Sequence, residues 1–152
     1  MTHRMIVTRR IATALIGAGF FWLGLYALAQ SSEVYKARLE PLPATAKERP
    51  SMNGSGIITG VLSGTKFTIN GPFEGLGAPA TSVDLHAGVA PMAGVRGPVI
   101  KSLTISKATS GTITGMVDLT AQQVESLKKG GLYIQIQNEK LTDGVLWAWF
   151  LR

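Results

Sequence analysis

A stretch of 19 residues without a charged side chain, from Ile11 to Ala29, constrains this sequence more than any other feature. At a helical rise of about 1.5 Å per residue, it is just long enough to span a hydrocarbon core of about 30 Å. Three arginines lie within residues 1–10, whereas the first acidic residue, Glu33, follows the stretch. The positive-inside rule therefore predicts a cytoplasmic N-terminus at residues 1–10, a transmembrane helix at residues 11–29 and an exported main domain.

The outer end of this segment supports two interpretations. Trp22 and Tyr26 lie where amphipathic rings prefer the headgroup level, which favours a retained anchor that contacts the bilayer or neighbouring helices. Ala27-Leu28-Ala29 has the pattern of a signal-peptide cleavage site, which would leave Gln30 as the new terminus. Under either interpretation we predict that the main domain is periplasmic, and with the anchor retained the protein belongs to the bacterial inner (cytoplasmic) membrane.

Residues 30–54 differ in composition from the segment before them. They contain Pro41, Pro43 and Pro50 among mixed charges, and proline disfavours a continuous helix. We predict an extended, proline-rich spacer here, followed by a folded domain over residues 55–152.

Short runs of β-forming residues between glycine-rich turns are typical of an all-β domain. We predict about seven strands, Gly56–Ser63, Lys66–Asn70, Thr81–Ala87, Val99–Ser106, Thr112–Leu119, Leu132–Gln137 and Val145–Leu151. A short helix interrupts them, because Thr120 and Gln123 have capping-box spacing and Gly130 follows as a stop. This pattern predicts an antiparallel Greek-key sandwich with one short helix.

Three segments of this domain carry a family resemblance. They are LTAQQVESLKKGGLYIQI at Leu119–Ile136, SVDLHAG with a downstream Gly97-Pro98-Val99, and Gly144-Val145-Leu146. In their order they resemble the CHRD domain, which is named after chordin and also occurs in exported bacterial proteins, over about residues 54–150. The resemblance implies an all-β sandwich, and it implies no particular activity because the family has no well-defined general one.

The departures from the family pattern concern its polar positions. Members commonly carry a His-x-His pair in the middle strand, where this chain has Asp84-Leu85-His86. Gln137 stands where the tyrosine-containing strand commonly ends in histidine, and Trp147 stands where the last strand commonly has arginine. The resemblance thus implies a polar cluster that is largely replaced in this chain.

The residue inventory limits the chemistry of the domain. The chain has no cysteine, which excludes disulfides, thiolate metal sites and a cysteine nucleophile, and it has only two histidines, His3 and His86. Asp84 and His86 share one strand face but remain weak metal candidates, because a metal site needs three or four converging ligands. We predict no catalytic residue, no cofactor and no enzymatic activity.

The last predicted strand, Val145–Leu151, has no polar residue on either face. Trp147 and Trp149 lie on one face, and Phe150 lies on the other. One interpretation is a central strand covered by loops or the helix. The other is a partner interface formed by Trp147, Trp149 and Phe150, with Trp22 and Tyr26 in the membrane, because tryptophans are favoured interface anchors.

The combination of an anchor with a β domain that lacks a chemical site suggests a function. We expect a non-catalytic accessory subunit that braces a larger integral membrane protein complex, respiratory or photosynthetic, from the periplasmic side. The bilayer is a second partner through residues 11–29, and nucleic acid is not expected because no basic run with interleaved aromatics occurs. The alternative is a free periplasmic module that binds a metal or another small ligand after signal cleavage.

Overall fold

The computed structural model describes residues 31–43, 45–88 and 96–152. Its nine strands are β1 (Ser32–Pro41), β2 (Ser55–Ser63), β3 (Lys66–Glu74), β4 (Ala80–Ala87), β5 (Val99–Ser102), β6 (Thr104–Ile105), β7 (Gly111–Asp118), β8 (Leu132–Asn138) and β9 (Leu146–Trp149). One α-helix, α1 (Ala121–Lys128), precedes β8, and a single 3-10 turn at Arg49–Ser51 precedes β2. The predicted class, an antiparallel all-β domain with one short helix, is confirmed.

All nine strands belong to one antiparallel sheet in the order β5-β4-β8-β9-β1-β2-β3-β7-β6. The two ends of this order are consecutive in sequence, since only Leu103 separates β5 from β6. The Leu103 amide donates to the Val83 carbonyl of β4 at 2.9 Å, while Ile105 pairs with Ile113 of β7. Residues 99–105 therefore bridge the two margins of the sheet, which curls into a nearly closed barrel.

Alternation of apolar and polar residues builds the barrel core. In β1, Tyr35, Ala37 and Leu39 point inward while the residues between them face outward. The Phe67 ring packs edge-on against Phe150 with a centroid separation of 5.0 Å. Gly60 gives this ring its space, because a Cβ there would overlap the Phe67 ring.

The helix begins and ends as its sequence predicts. The Thr120 hydroxyl accepts from the Gln123 amide at 3.2 Å, and the Gln123 side chain accepts from the Thr120 amide at 2.9 Å. Gly130, with a φ of +72°, follows the last turn in the left-handed region where glycine is favoured. Leu127 is the fully buried residue of the helix, and it joins the barrel core.

The structure corrects the predicted spacer at residues 30–54 and the predicted count of seven strands. Strand β1 occupies residues 32–41 and lies between β2 and β9, so the domain begins more than twenty residues earlier than expected. The outer face of β1 is charged and prolines follow closely, so the alternation of inward apolar and outward polar residues was not taken as a strand. The predicted strand at residues 99–106 is divided at Leu103 into β5 and β6, which brings the count to nine.

The predicted transmembrane helix at residues 11–29 lies outside the described residues. Within residues 31–43, 45–88 and 96–152, no helix has the length and apolar character that a bilayer crossing needs.

The position of β1 predicts where the folding unit begins. A chain of residues 55–152 should fail to unfold cooperatively, because removal of β1 takes three core side chains away and exposes the edges of β2 and β9. A chain of residues 31–152 should show a β-type circular dichroism spectrum and a cooperative thermal transition. A cooperative transition of the shorter chain would show that β1 is dispensable.

Candidate functional site

The outer face of β4, β8 and β9 carries the most distinctive side chains of the barrel. Asp84 pairs with Gln135 and His86 with Tyr133, while Tyr133 and Gln135 pair in turn with Trp149 and Trp147. Paired residues of antiparallel strands project from the same face, so these side chains form one surface. We call the four rings of this surface, His86, Tyr133, Trp147 and Trp149, the aromatic cluster.

The rings of the aromatic cluster contact one another directly. His86 stacks on Tyr133 with a centroid separation of 4.9 Å and an interplanar angle of 9°. Tyr133 lies 4.6 Å from Trp149 and 6.3 Å from Trp147, and the two indoles are 6.0 Å apart. The two contacts of Trp147 are edge-on, which is a favourable arrangement for aromatic rings. The histidine and tyrosine are buried, whereas both tryptophans remain half-buried.

The protonation of His86 follows from its hydrogen bond. Its Nδ1 lies 2.9 Å from the carbonyl oxygen of Gly97, which can only accept, so Nδ1 carries the proton. Its Nε2 is buried and has no hydrogen-bond partner among the described residues. The Tyr133 hydroxyl accepts from the Gly97 amide at 2.9 Å, so both rings hold the chain at Gly97 against the sheet. The histidine is only 1% exposed, so its ring is enclosed by its neighbours on this face.

A row of polar side chains, which we call the polar ladder, adjoins the aromatic cluster. Ser102 donates to Asp84 at 2.6 Å, and Gln137 Nε2 lies 3.5 Å from the other oxygen of the same carboxylate. Ser82 donates to Gln137 at 2.8 Å, which fixes the amide orientation. The ladder is thus a set of satisfied hydrogen bonds across β5, β4 and β8.

The chain before β9 is held against this face through Gln135. Its Nε2 donates to the Asp143 carbonyl at 2.6 Å, and the Arg96 guanidinium contacts the same carbonyl oxygen. Gly144 follows with a φ of +121°, and a Cβ there would collide with the Gln135 side chain. Glycine is therefore required at this position both by its backbone conformation and by the close approach of Gln135.

The surroundings of Asp84 and His86 bear on the weak metal site predicted there. Asp84 and His86, the weak metal candidates, do share the outer face of β4. Residues 31–43, 45–88 and 96–152 contain no group of three or more His, Asp or Glu side chains that could hold a metal ion. The Asp84 carboxylate is already engaged by Ser102 and Gln137, and the protonated nitrogen of His86 is engaged by Gly97.

The predicted interface residues fall in different places. Trp147 and Trp149 lie on the outer face, and β9 is a central strand between β8 and β1. Phe150 is 0% exposed and packs on Phe67, so its assignment to a partner interface is wrong. Both faces of β9 are apolar, and alternation alone does not tell which of them turns inward. Trp22 and Tyr26 lie outside the residues that the structure describes.

A second polar group lies where β1 begins. The Tyr35 hydroxyl donates to Glu33 at 2.6 Å, and Arg152 lies 3.4 Å from the same carboxylate oxygen. The bond from Tyr35 and the charge of Arg152 hold the pKa of Glu33 below its usual value. Burial, and then the bond to Glu33, raise the pKa of Tyr35 to about 12.

The nearly closed antiparallel barrel with one short helix places this protein among small all-β domains. The chain belongs to the CHRD domain family, whose model matches residues 28–146 of its 152 residues. The match begins ahead of β1, in agreement with the fold and earlier than the resemblance near residue 54 suggested. No curated protein and no solved structure matches the chain.

The positions at which CHRD domains commonly carry histidine and arginine do lie close together in this chain. Asp84, His86, Gln137 and Trp147 lie on one face of three adjacent strands. Sequence reasoning missed Gln135 and the role of Tyr133. Their signal is the alternation in β8, where Tyr133, Gln135 and Gln137 share the face opposite to the core isoleucines.

The different burial of Trp147 in β9 and of Phe150 just after it predicts different costs for their removal. Phe150→Ala should lower the free energy of unfolding by about 3–5 kcal/mol, because it empties a fully buried site. Trp147→Ala should cost about 1–2 kcal/mol, because that indole is only half-buried. Urea unfolding of both variants measures the difference, and equal costs would mean that Trp147 belongs to the core.

The pair of Tyr35 and Glu33 predicts a pH-dependent stability. A lowered carboxyl pKa stabilises the fold above the unfolded value near 4.5, and this contribution is lost as the pH falls through the folded pKa. A raised phenol pKa stabilises the fold below the unfolded value of 10, and this contribution is lost as the pH rises toward 12.

Tyr35→Phe should therefore lower the free energy of unfolding most between about pH 4.5 and pH 10. The difference in this free energy between the variant and the wild type should shrink as the pH falls below 4.5. Urea unfolding across pH measures this, with Tyr133→Phe as the matched phenol control. A difference that stays constant into acid would show that the hydrogen bond does not favour the ionised carboxylate.

Proposed function

We propose that this protein is a non-catalytic accessory subunit held at the periplasmic surface of the bacterial cytoplasmic membrane, where it braces a larger membrane protein complex. The observation that carries the proposal is the pair of half-buried tryptophans on the outer face of β9. The core is complete without them, since the inward side of this segment is filled by Leu146 and Ala148 of β9 and by Phe150, which follows the strand. Tryptophan side chains left partly open on a rigid sheet are favoured anchors for a protein partner.

The surroundings of the two indoles strengthen this proposal. Ile57 is 56% exposed and Leu151 is 57% exposed, and both lie with Trp149 along one open groove. Exposed apolar side chains that adjoin half-buried tryptophans form the kind of continuous patch that marks an interaction site. Because the strands beneath are paired on both sides, the patch is presented on a fixed scaffold.

The start of β1 supports a position close to the bilayer. Only Gln30 and Ser31 separate the apolar segment at residues 11–29 from Ser32, where β1 begins. Two residues span at most about 7 Å. With the apolar segment in the membrane, the barrel would rest against the bilayer surface, next to the exposed parts of neighbouring membrane proteins.

The alternative function is a free periplasmic binding module with residues 1–29 removed. The open groove beside Trp149 is the observation that favours it. Mature protein whose mass begins at Gln30 would support this alternative, and heat on titration with copper or zinc would support its metal-binding form.

The proposal predicts how the tryptophans affect assembly. The full chain should co-purify from membranes in mild detergent with a larger complex at a fixed stoichiometry. The double variant Trp147→Ala/Trp149→Ala should lose most of that association, because the interface loses its two aromatic anchors. Native gel mobility and quantitative mass spectrometry measure both outcomes.

Two further variants make this experiment decisive. Met116→Ala removes a side chain that is 54% exposed on β7, outside the proposed patch, and should leave the association intact. Leu151→Asp places a charge in the patch and leaves both tryptophans in place. It should weaken the association, and it provides a test if the double tryptophan variant folds poorly. Wild-type protein recovered alone, at monomer size, would overturn the proposal.

A further inference from the structure

An open groove of about 620 Å³ runs along the outer face of β1. Its lining combines three cations with three apolar side chains, Lys36, Arg38, Arg152, Ile57, Trp149 and Leu151. Cross-strand register explains this mixture, since Arg38 pairs with Ile57 of β2 and Lys36 forms a bridge with Leu151. We call this feature the basic groove.

The three cations of the basic groove differ in what they already bind. Lys36 donates to the Thr59 hydroxyl at 2.7 Å, and Arg152 pairs with Glu33. Arg38 is exposed and makes no ion pair with any residue that the structure describes. Among the described lining residues, Glu40 is the one acidic side chain. The described lining therefore carries excess positive charge, and Arg38 lies between Lys36 and Glu40 on the outer face of β1.

The register also places Arg38 beside the aromatic cluster. Glu40 pairs with Trp147 and Lys36 with Leu151, so Arg38 stands opposite Trp149 between those two pairs. A guanidinium binds a carboxylate through two parallel hydrogen bonds, and an indole beside it offers apolar area. This combination suits a carboxylate that is flanked by apolar groups.

The backbone beneath the groove excludes one common binding mode. Strand β1 is paired with β2 on one side and with β9 on the other. An incoming peptide therefore cannot add to the sheet as an extra strand, and recognition must come from the side chains of the groove.

The length of β1 favours a protein occupant over lipid. Arg38 lies six residues beyond Ser32, which corresponds to about 20 Å along a strand. The headgroup layer extends only about 5–8 Å beyond the hydrocarbon on each side. With residues 11–29 in the bilayer and β1 directed away from it, Arg38 would lie beyond the lipid headgroups.

We propose that the basic groove binds an acidic segment of the partner subunit, with one of its carboxylates on Arg38 and an apolar neighbour against Trp149. This inference rests on the proposed accessory function and names the chemistry of the partner. The same side chains account for specificity, because a basic partner segment would be repelled.

Zero-length cross-linking of the native complex tests the proposal. A water-soluble carbodiimide joins a lysine amine to a carboxylate only where the two are in contact. Lys36 is the one lysine among the lining residues that the structure describes, so its peptide should be recovered joined to an Asp or Glu of the partner subunit. Lys36→Arg keeps the charge and removes the amine, so this cross-link should disappear while the association remains.

Charge reversal supplies an independent readout from the same membranes. Arg38→Glu should lower the amount of this protein recovered with the complex at least about tenfold, because the new carboxylate would face the carboxylate of the partner segment. Lys107→Glu makes the same charge change on an exposed turn outside the groove and should have no such effect. Arg38 is exposed, so circular dichroism should find both variants folded.

The outcomes separate this proposal from the function on which it rests. Wild-type chain absent from any complex would overturn the accessory function. Wild-type chain present in a complex that forms no Lys36 cross-link and tolerates Arg38→Glu would overturn the groove proposal alone. Binding of the folded domain to anionic phosphatidylglycerol vesicles that Arg38→Glu abolishes would overturn it as well, in favour of a lipid occupant.

Discussion

The pairing of β1 between β2 and β9 is the constraint on which the rest of the structure depends. It joins the half of the sheet that contains β2, β3 and β7 to the half that contains β4, β8 and β9. Tyr35, Ala37 and Leu39 bring three buried side chains to the middle of the core. In a chain without cysteine, no disulfide can replace this connection, so the domain depends on strand pairing and core packing.

Helices and strands could be predicted from the sequence where neighbouring residues alone specify their ends. The capping box at Thr120 and the stop at Gly130 define α1, and Gly54 and Gly64 flank β2. Strand β1 was missed because its outward positions carry charges and prolines follow closely. The alternation of Tyr35, Ala37 and Leu39 was nevertheless present, and it would have indicated a half-buried strand.

The candidate site could be predicted only in part, because it depends on contacts between distant segments. The resemblance placed Asp84, Gln137 and Trp147 in one cluster, and the strand register brings them to one face. The burial of His86 depends on the chain at Gly97, and that of Gln135 depends on the chain at Asp143. The basic groove likewise needs the exact register of three strands, which local alternation does not specify.

The bridging segment at residues 99–105 has a consequence for how the domain behaves in a crowded compartment. A sheet margin with free amides and carbonyls is a template on which another chain can assemble. In this barrel the two margins, β5 and β6, are only four and two residues long, and they are consecutive parts of one segment. Within the described residues, a neighbouring molecule therefore meets only short strands at the ends of the strand order, which disfavours sheet-to-sheet association.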